Sequence, residues 1–118
     1  MRADHRRKQA FTLVEVLIVT GIIAILITIA VPNFARAREN ARSKTCMQNL
    51  RAIESAKDQY LMDYHQPRSA TVNPANIVGP LSYLKQMPEC PSQGTYTVGT
   101  GETFATCSVG GTHVLHQE

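Results

Sequence analysis

From Leu13 to Val31 the chain reads Leu-Val-Glu-Val-Leu-Ile-Val-Thr-Gly-Ile-Ile-Ala-Ile-Leu-Ile-Thr-Ile-Ala-Val, with Glu15 as its only charge. A run of that length crosses a bilayer core of about 30 Å as a helix. It leaves the rest of the 118 residues with little apolar material for a second core. Domains so small usually need a staple, a partner or oligomerisation. The formal charge of +3 arises in the first ten residues, where Arg2, Arg6, Arg7 and Lys8 face Asp4 alone; from Phe11 onward eight basic and eight acidic residues cancel. No basic patch on the folded part marks a nucleic-acid footprint, and no specific nucleic acid is expected as a partner. The basic cluster ahead of the apolar run sets the N-terminus on the cytoplasmic side. A secretory signal would have a shorter apolar core and a small-x-small cleavage site. Here the run passes into Pro32-Asn33-Phe34-Ala35-Arg36 and a charged helical pattern, so the segment is expected to remain as a single span.

Glu15 does not suit a plain anchor. An isolated carboxylate at membrane depth costs about 2.5–3.5 kcal/mol on insertion scales. A carboxylate lying at the interface, favoured by the positive end of the helix dipole, is the plainer reading. The order of residues goes further. A basic leader, the small residue Ala10, then Phe11-Thr-Leu-Val-Glu15 and the apolar run resemble the prepilin (class III) signal of type IV pilin-like proteins and type II secretion pseudopilins. The resemblance implies cleavage by a prepilin peptidase between Ala10 and Phe11, and methylation of the new Phe11 amine. It also implies an assembly salt bridge at Glu15, the fifth mature residue, and a helix kink at Pro32. One departure is Ala10, where the family usually carries Gly. The physics agrees: the Phe11 amine of a neighbouring subunit and Glu15 neutralise each other, and burying either alone is costly.

Beyond Pro32 the residues Met47, Leu50, Ile53, Tyr60 or Leu61, and Tyr64 recur at helical spacing, with charges between them. Proline bends a helix without necessarily ending it. The pattern predicts one long helix from about Phe11 to Tyr64, about 80 Å in length. Arg36, Arg38, Arg42 and Lys44 are read as its solvated face rather than as a patch for headgroups or DNA. After Pro67 short helical turns are expected at Pro74–Gly79 and Leu81–Leu84. Strands are expected at Thr95–Val98 and Thr103–Cys107 around a Gly99–Glu102 turn, with a short third strand at Val114–Leu115. The predicted class is α+β and pilin-like: one long N-terminal helix packed on a small C-terminal antiparallel sheet. The expected segments are a leader at 1–10, a transmembrane helix at 11–35, its amphipathic continuation at 36–66, and a loop and sheet region at 67–118.

Cys90 and Cys107 flank the hairpin, so a disulfide between them is expected, with Cys46 reduced or paired only between subunits. Three pairings are possible from sequence. The alternative, Cys46 joined within the chain, requires the sheet to lie over that turn of the helix. Cys90-Pro-Ser-Gln-Gly-Thr-Tyr96 with Thr106-Cys107-Ser108 also resembles the C-terminal part of some secretion-type pilin-like proteins. His65, Cys90, Cys107, His113 and His116 contain no C-x-x-C or H-x-x-x-H element, so no metal is expected. The calcium loop common in major pseudopilins needs several carboxylates, and only Glu102 and Glu118 follow Cys90. No cofactor is expected, and no nucleophile–base motif or phosphate loop points to an enzyme.

The expected function is structural: a pilus-like filament subunit, made as a prepilin, cleaved and N-methylated, most directly a type II secretion pseudopilin. The alternatives are a type IV pilus or competence pilin, or a single-span binding module with no assembly role. Expected partners are copies of itself, other pilin-like subunits, a prepilin peptidase, an inner-membrane assembly platform and membrane lipid. The expected location is the bacterial inner membrane, with the C-terminal region periplasmic or in an extracellular filament.

Overall fold

The structure, a computed structural model, describes residues 10–115. The basic leader residues Arg2, Arg6, Arg7 and Lys8, and His116, lie outside it. The elements are helix α1 (Leu13–Asp63), helix α2 (Pro74–Ile77), and strands β1 (Tyr96–Thr97) and β2 (Thr106–Cys107). The chain divides into two compact units between Ala37 and Arg38.

In the first unit the helix start is built by reciprocal capping. Thr12 Oγ1 accepts from the Glu15 N–H at 3.2 Å, and Glu15 Oε2 accepts from the Thr12 N–H at 3.0 Å. This is the S/T-x-x-E capping box, which satisfies two backbone donors at a helix end. Within the apolar run the hydroxyls turn inward onto their own helix. Thr20 donates to the Val16 carbonyl at 2.9 Å, and Thr28 to that of Ile25 at 2.6 Å. Such back-bonding leaves no hydroxyl seeking water. Pro32 sits inside α1, which continues through it.

The second unit is organised on one face of α1, where Ser43, Cys46, Leu50, Ile53, Ala56, Lys57 and Leu61 are buried. The apolar stripe is therefore Cys46–Leu50–Ile53 rather than one led by Met47, and Tyr64 is exposed. The helix ends in a Schellman motif. The Gln66 N–H reaches the Leu61 carbonyl at 3.0 Å, and the His65 N–H reaches that of Met62 at 3.2 Å. His65 takes the left-handed conformation (φ 50°) where glycine is usual. Pro67 then prevents the helix from resuming.

α2 is capped by Asn73, whose side chain accepts from the Ala75 N–H at 3.0 Å, with Pro74 in the first turn. The segment expected to be helical at Leu81–Leu84 is instead a turn, returning Leu84 to a parallel bridge with Val78. β1 and β2 pair antiparallel, Tyr96 opposite Cys107 and Thr97 opposite Thr106. No third strand forms at Val114–Leu115 among the described residues. Gly110 and Gly111, at φ 65° and 59°, turn the chain there. Ser43 Oγ then donates to the Thr112 carbonyl at 2.7 Å and holds the returning segment on α1.

Lys57, one of the charges between the apolar positions of the helix, is fully buried. Its Nζ donates to Glu54 Oε1 at 2.7 Å, to the Thr103 carbonyl at 2.6 Å and to the Val98 carbonyl at 3.3 Å. The same Glu54 oxygen accepts from the Ala105 N–H. An i, i+3 ion pair on α1 thus takes up backbone groups from both sides of the hairpin turn. With strands of only two residues each, the sheet has few ladder bonds of its own, and the helix supplies the rest.

Candidate functional site

Two regions carry chemistry. The first is the beginning of α1. Ala10 and Phe11 are exposed, Phe11 to 87%, so the expected cleavage bond is open to an enzyme. Glu15 is also exposed and engaged with Thr12. The sequence reading missed that partnership, although Thr12-Leu-Val-Glu15 has the capping-box spacing. None of the most apolar window of α1 is buried, and its mean hydropathy is 2.8. Leu13, Leu17, Ile25 and Ile29 are each 60% exposed or more. By length and composition this helix can cross a membrane. A face this large and apolar is otherwise a contact surface. Arg36, Arg38 and Lys44 are exposed and Arg42 half-buried on α1.

The second region corrects the placing of Cys46 as a projecting residue. Cys46, Cys90, Cys107 and His113 are all buried, and their candidate ligand atoms all lie within 4.8 Å of one another. The hairpin does lie over the Cys46 turn of α1, so Cys46 is not a projecting thiol available to another subunit; it is 0% exposed. All three cysteines are free thiols. Cys90 and Cys107 are adjacent, as their flanking positions implied, with sulfurs 3.6 Å apart. The expectation of no metal-ligand set rested on local spacing. The set here is assembled from α1, the loop before β1, β2 and the segment after it, which no short spacing reveals. His65 takes no part because it terminates α1.

Burial pushes the Cys46 thiol up to about 12. Burial acts the same way on Cys90, but hydrogen bonds from the Ser92 and Gly94 backbone and from the Cys107 and Cys46 thiols draw it down to about 7. His113 Nε2 is 3.5 Å from Glu39 Oε1, whereas its buried Nδ1 has no partner. Tyr96, beside the cluster, shares its hydroxyl with Asn49, which also donates to the Glu89 carbonyl at 3.0 Å. Burial holds its phenol well above the usual range.

Comparison with known proteins fits the first region. A family model described as "Prokaryotic N-terminal methylation motif" matches residues 5–31. The chain is 33% identical over 105 residues to type II secretion system core protein G of Aeromonas hydrophila, covering 79% of this chain and 73% of that one. It is 30% identical over 115 residues to the protein of the same name from Escherichia coli, covering 86% and 79%. It is 26% identical over 98 residues to the ComG operon protein 3 homolog of Bacillus licheniformis, covering 83% and 97%. No solved structure matches it at a significant level. The apolar helix entered through a Thr–Glu box, the methylation motif spanning it, and relatives matched along most of their length agree: the chain belongs to the type IV pilin-like, type II secretion pseudopilin family.

Proposed function

We propose that this chain is a pseudopilin of a type II secretion system, made as a precursor and cut between Ala10 and Phe11. Its new Phe11 amine is methylated, and it is held in the bacterial inner membrane with its N-terminus cytoplasmic. A prepilin peptidase and an inner-membrane platform act on it before it joins copies of itself and related subunits. It works as a structural subunit rather than as a catalyst. The observation that carries this reading is Glu15, a carboxylate exposed at the start of a helix whose first half is otherwise apolar and uncovered. A plain anchor could start its helix equally well with an uncharged glutamine in the same box.

The capping geometry supports pairing with an incoming amine. Removing residues 1–10 leaves Thr12 and its N–H in place, so the box survives cleavage. The box uses Oε2 of Glu15. A carboxylate offers about four lone-pair sites, so Glu15 can cap its own helix and accept from an ammonium carried by a neighbour. The carboxylate and ammonium then lose their charge penalties together in the low-dielectric bundle.

Intact-mass measurement on protein from its own host membranes tests the processing. The expected species begins at a methylated Phe11. A dominant species beginning at Met1, or beyond Val31, refutes it. Deleting the gene tests the pathway: loss of secreted enzymes with surface pili and DNA uptake intact supports the secretion assignment. A second reading, a competence-type fibre, rests on the Bacillus licheniformis relative, of which the chain covers 97%. Loss of DNA uptake with secretion intact favours it.

A further inference from the structure

We propose that Cys46, Cys90, Cys107 and His113 form a structural zinc site that fastens the C-terminal hairpin and tail to helix α1. Such a site would serve the fold whether or not the chain enters a filament. Tetrahedral zinc with three thiolates and one imidazole has Zn–S distances near 2.3 Å, which sets its sulfurs about 3.8 Å apart. The Cys90 and Cys107 sulfurs are 3.6 Å apart, and all four ligand atoms fit within 4.8 Å. The set therefore needs shifts of only a few tenths of an ångström to about one to close on a cation. Soft sulfur-rich sets of this geometry suit zinc, while a hard cation such as calcium takes oxygen ligands.

Three independent features point the same way. The first is His113, 1% exposed, whose Nδ1 is buried without any hydrogen-bond partner. Native proteins seldom leave such an atom unsatisfied, and a metal bond would satisfy it. The second is Glu39, 3.5 Å from the opposite ring nitrogen, Nε2. A carboxylate there keeps the Nε2 proton in place and directs the Nδ1 lone pair at the metal, as in carboxylate–histidine–zinc arrangements. The third is Gly94. A Cβ at that position would come within 2.5 Å of the Cys107 sulfur and 3.2 Å of the Cys90 sulfur. The backbone thus runs directly against the sulfurs, and Ser92 and Gly94 hydrogen-bond to Cys90.

Binding has a simple balance. Zinc enters as the divalent cation, three thiols release three protons to solvent, and His113 binds as the neutral imidazole with its remaining proton facing Glu39. No electron moves. A Cys90–Cys107 disulfide is the competing chemistry; forming it gives up two protons and two electrons to an external oxidant and leaves Cys46 and His113 Nδ1 buried without a partner. The staple reaches the tail as well as the hairpin, since Thr112, next to His113, is held by Ser43.

The test uses untagged full-length protein purified in detergent, with zinc measured by elemental mass spectrometry and thiols by alkylation. The expected result is one zinc per chain, three thiols that alkylate only after denaturation with chelator, and no disulfide. Reduced, zinc-free protein titrated with cobalt should develop the thiolate-to-cobalt charge-transfer band of a tetrahedral site. Glu39→Gln, on a side chain 58% exposed and outside the packed core, should weaken zinc binding about 10- to 100-fold while keeping the band. His113→Ala should weaken it further. A protein without zinc that carries a Cys90–Cys107 disulfide and, once reduced, gives no cobalt band overturns the proposal. So does full zinc retention in Cys46→Ser.

Discussion

Lys57→Met removes a charge from a fully buried position in the second unit while keeping a side chain of similar length. Two of the bonds lost are short: 2.7 Å to Glu54 and 2.6 Å to the Thr103 carbonyl. Bonds to charged groups contribute about 1.5–3 kcal/mol each. Removing one partner of a buried pair costs about 3–5 kcal/mol, because the other charge is left enclosed. Glu54 is 17% exposed, so part of its penalty is relieved by water, and the low end of that range is expected. At 1.4 kcal/mol per factor of ten, a loss of about 3 kcal/mol opens the hairpin roughly a hundredfold more often. Hydrogen exchange on the full chain in detergent micelles measures this at the amides around Thr103 and Ala105. The double variant Glu54→Gln/Lys57→Met should recover much of the protection, since no charge then remains stranded. If Lys57→Met leaves exchange within about threefold of the wild type, the pair does not hold the hairpin and the argument fails.

Glu15→Gln separates capping from pairing, since glutamine also serves at that position of a capping box. The variant should insert and start its helix normally yet assemble slowly by sedimentation, and assembly at the wild-type rate would remove any role for the charge. Gly94→Ala drives a methyl into the Cys107 sulfur and the Val109 side chain; about 1–3 kcal/mol of stability should be lost in thermal unfolding, and an unchanged midpoint contradicts the packing described. Asn49→Ala loses bonds to the Glu89 carbonyl and the Tyr96 hydroxyl, for an expected cost of about 1–3 kcal/mol by urea unfolding. The hydrogen bond to Asp63 raises the Tyr83 phenol from 10.0 to about 12, so between those values the unfolded chain binds fewer protons and stability falls with rising pH. Tyr83→Phe should make that decline shallower in urea midpoints taken across the interval, and an unchanged slope would show that the bond is not formed.

The anchor was legible in sequence because a long apolar run with a single charge has few physical readings. The hairpin was legible because Gly99 and its neighbours break an alternating pattern. The face of α1 was harder to read. Met47 and Cys46 both fall at helical spacing from Leu50, and only the position of the hairpin decides between them. The burial of Lys57 was hidden because a lysine is nearly always exposed, and two of its partners are carbonyls far along the chain. The four-residue sulfur and imidazole cluster was hidden for the same reason. Its members lie on separate elements, so their proximity is a property of the packing and not of any short motif. The third strand failed at two glycines whose left-handed backbone turns the tail.

The bare surface of α1 also bears on what powers assembly. A subunit leaving the bilayer for a helical bundle exchanges hydrocarbon chains for the side chains of its neighbours, and lipid tails are as apolar as leucine. The transfer therefore gains little from the hydrophobic effect. For the most apolar window of the helix, bilayer and bundle are close to equivalent solvents. Such subunits can be stored in the membrane, withdrawn into a fibre and returned to the membrane with only small free-energy differences. Direction must then come from specific contacts such as a matched charge pair. The greasiness of the helix sets where the subunit can reside and leaves open which way it travels.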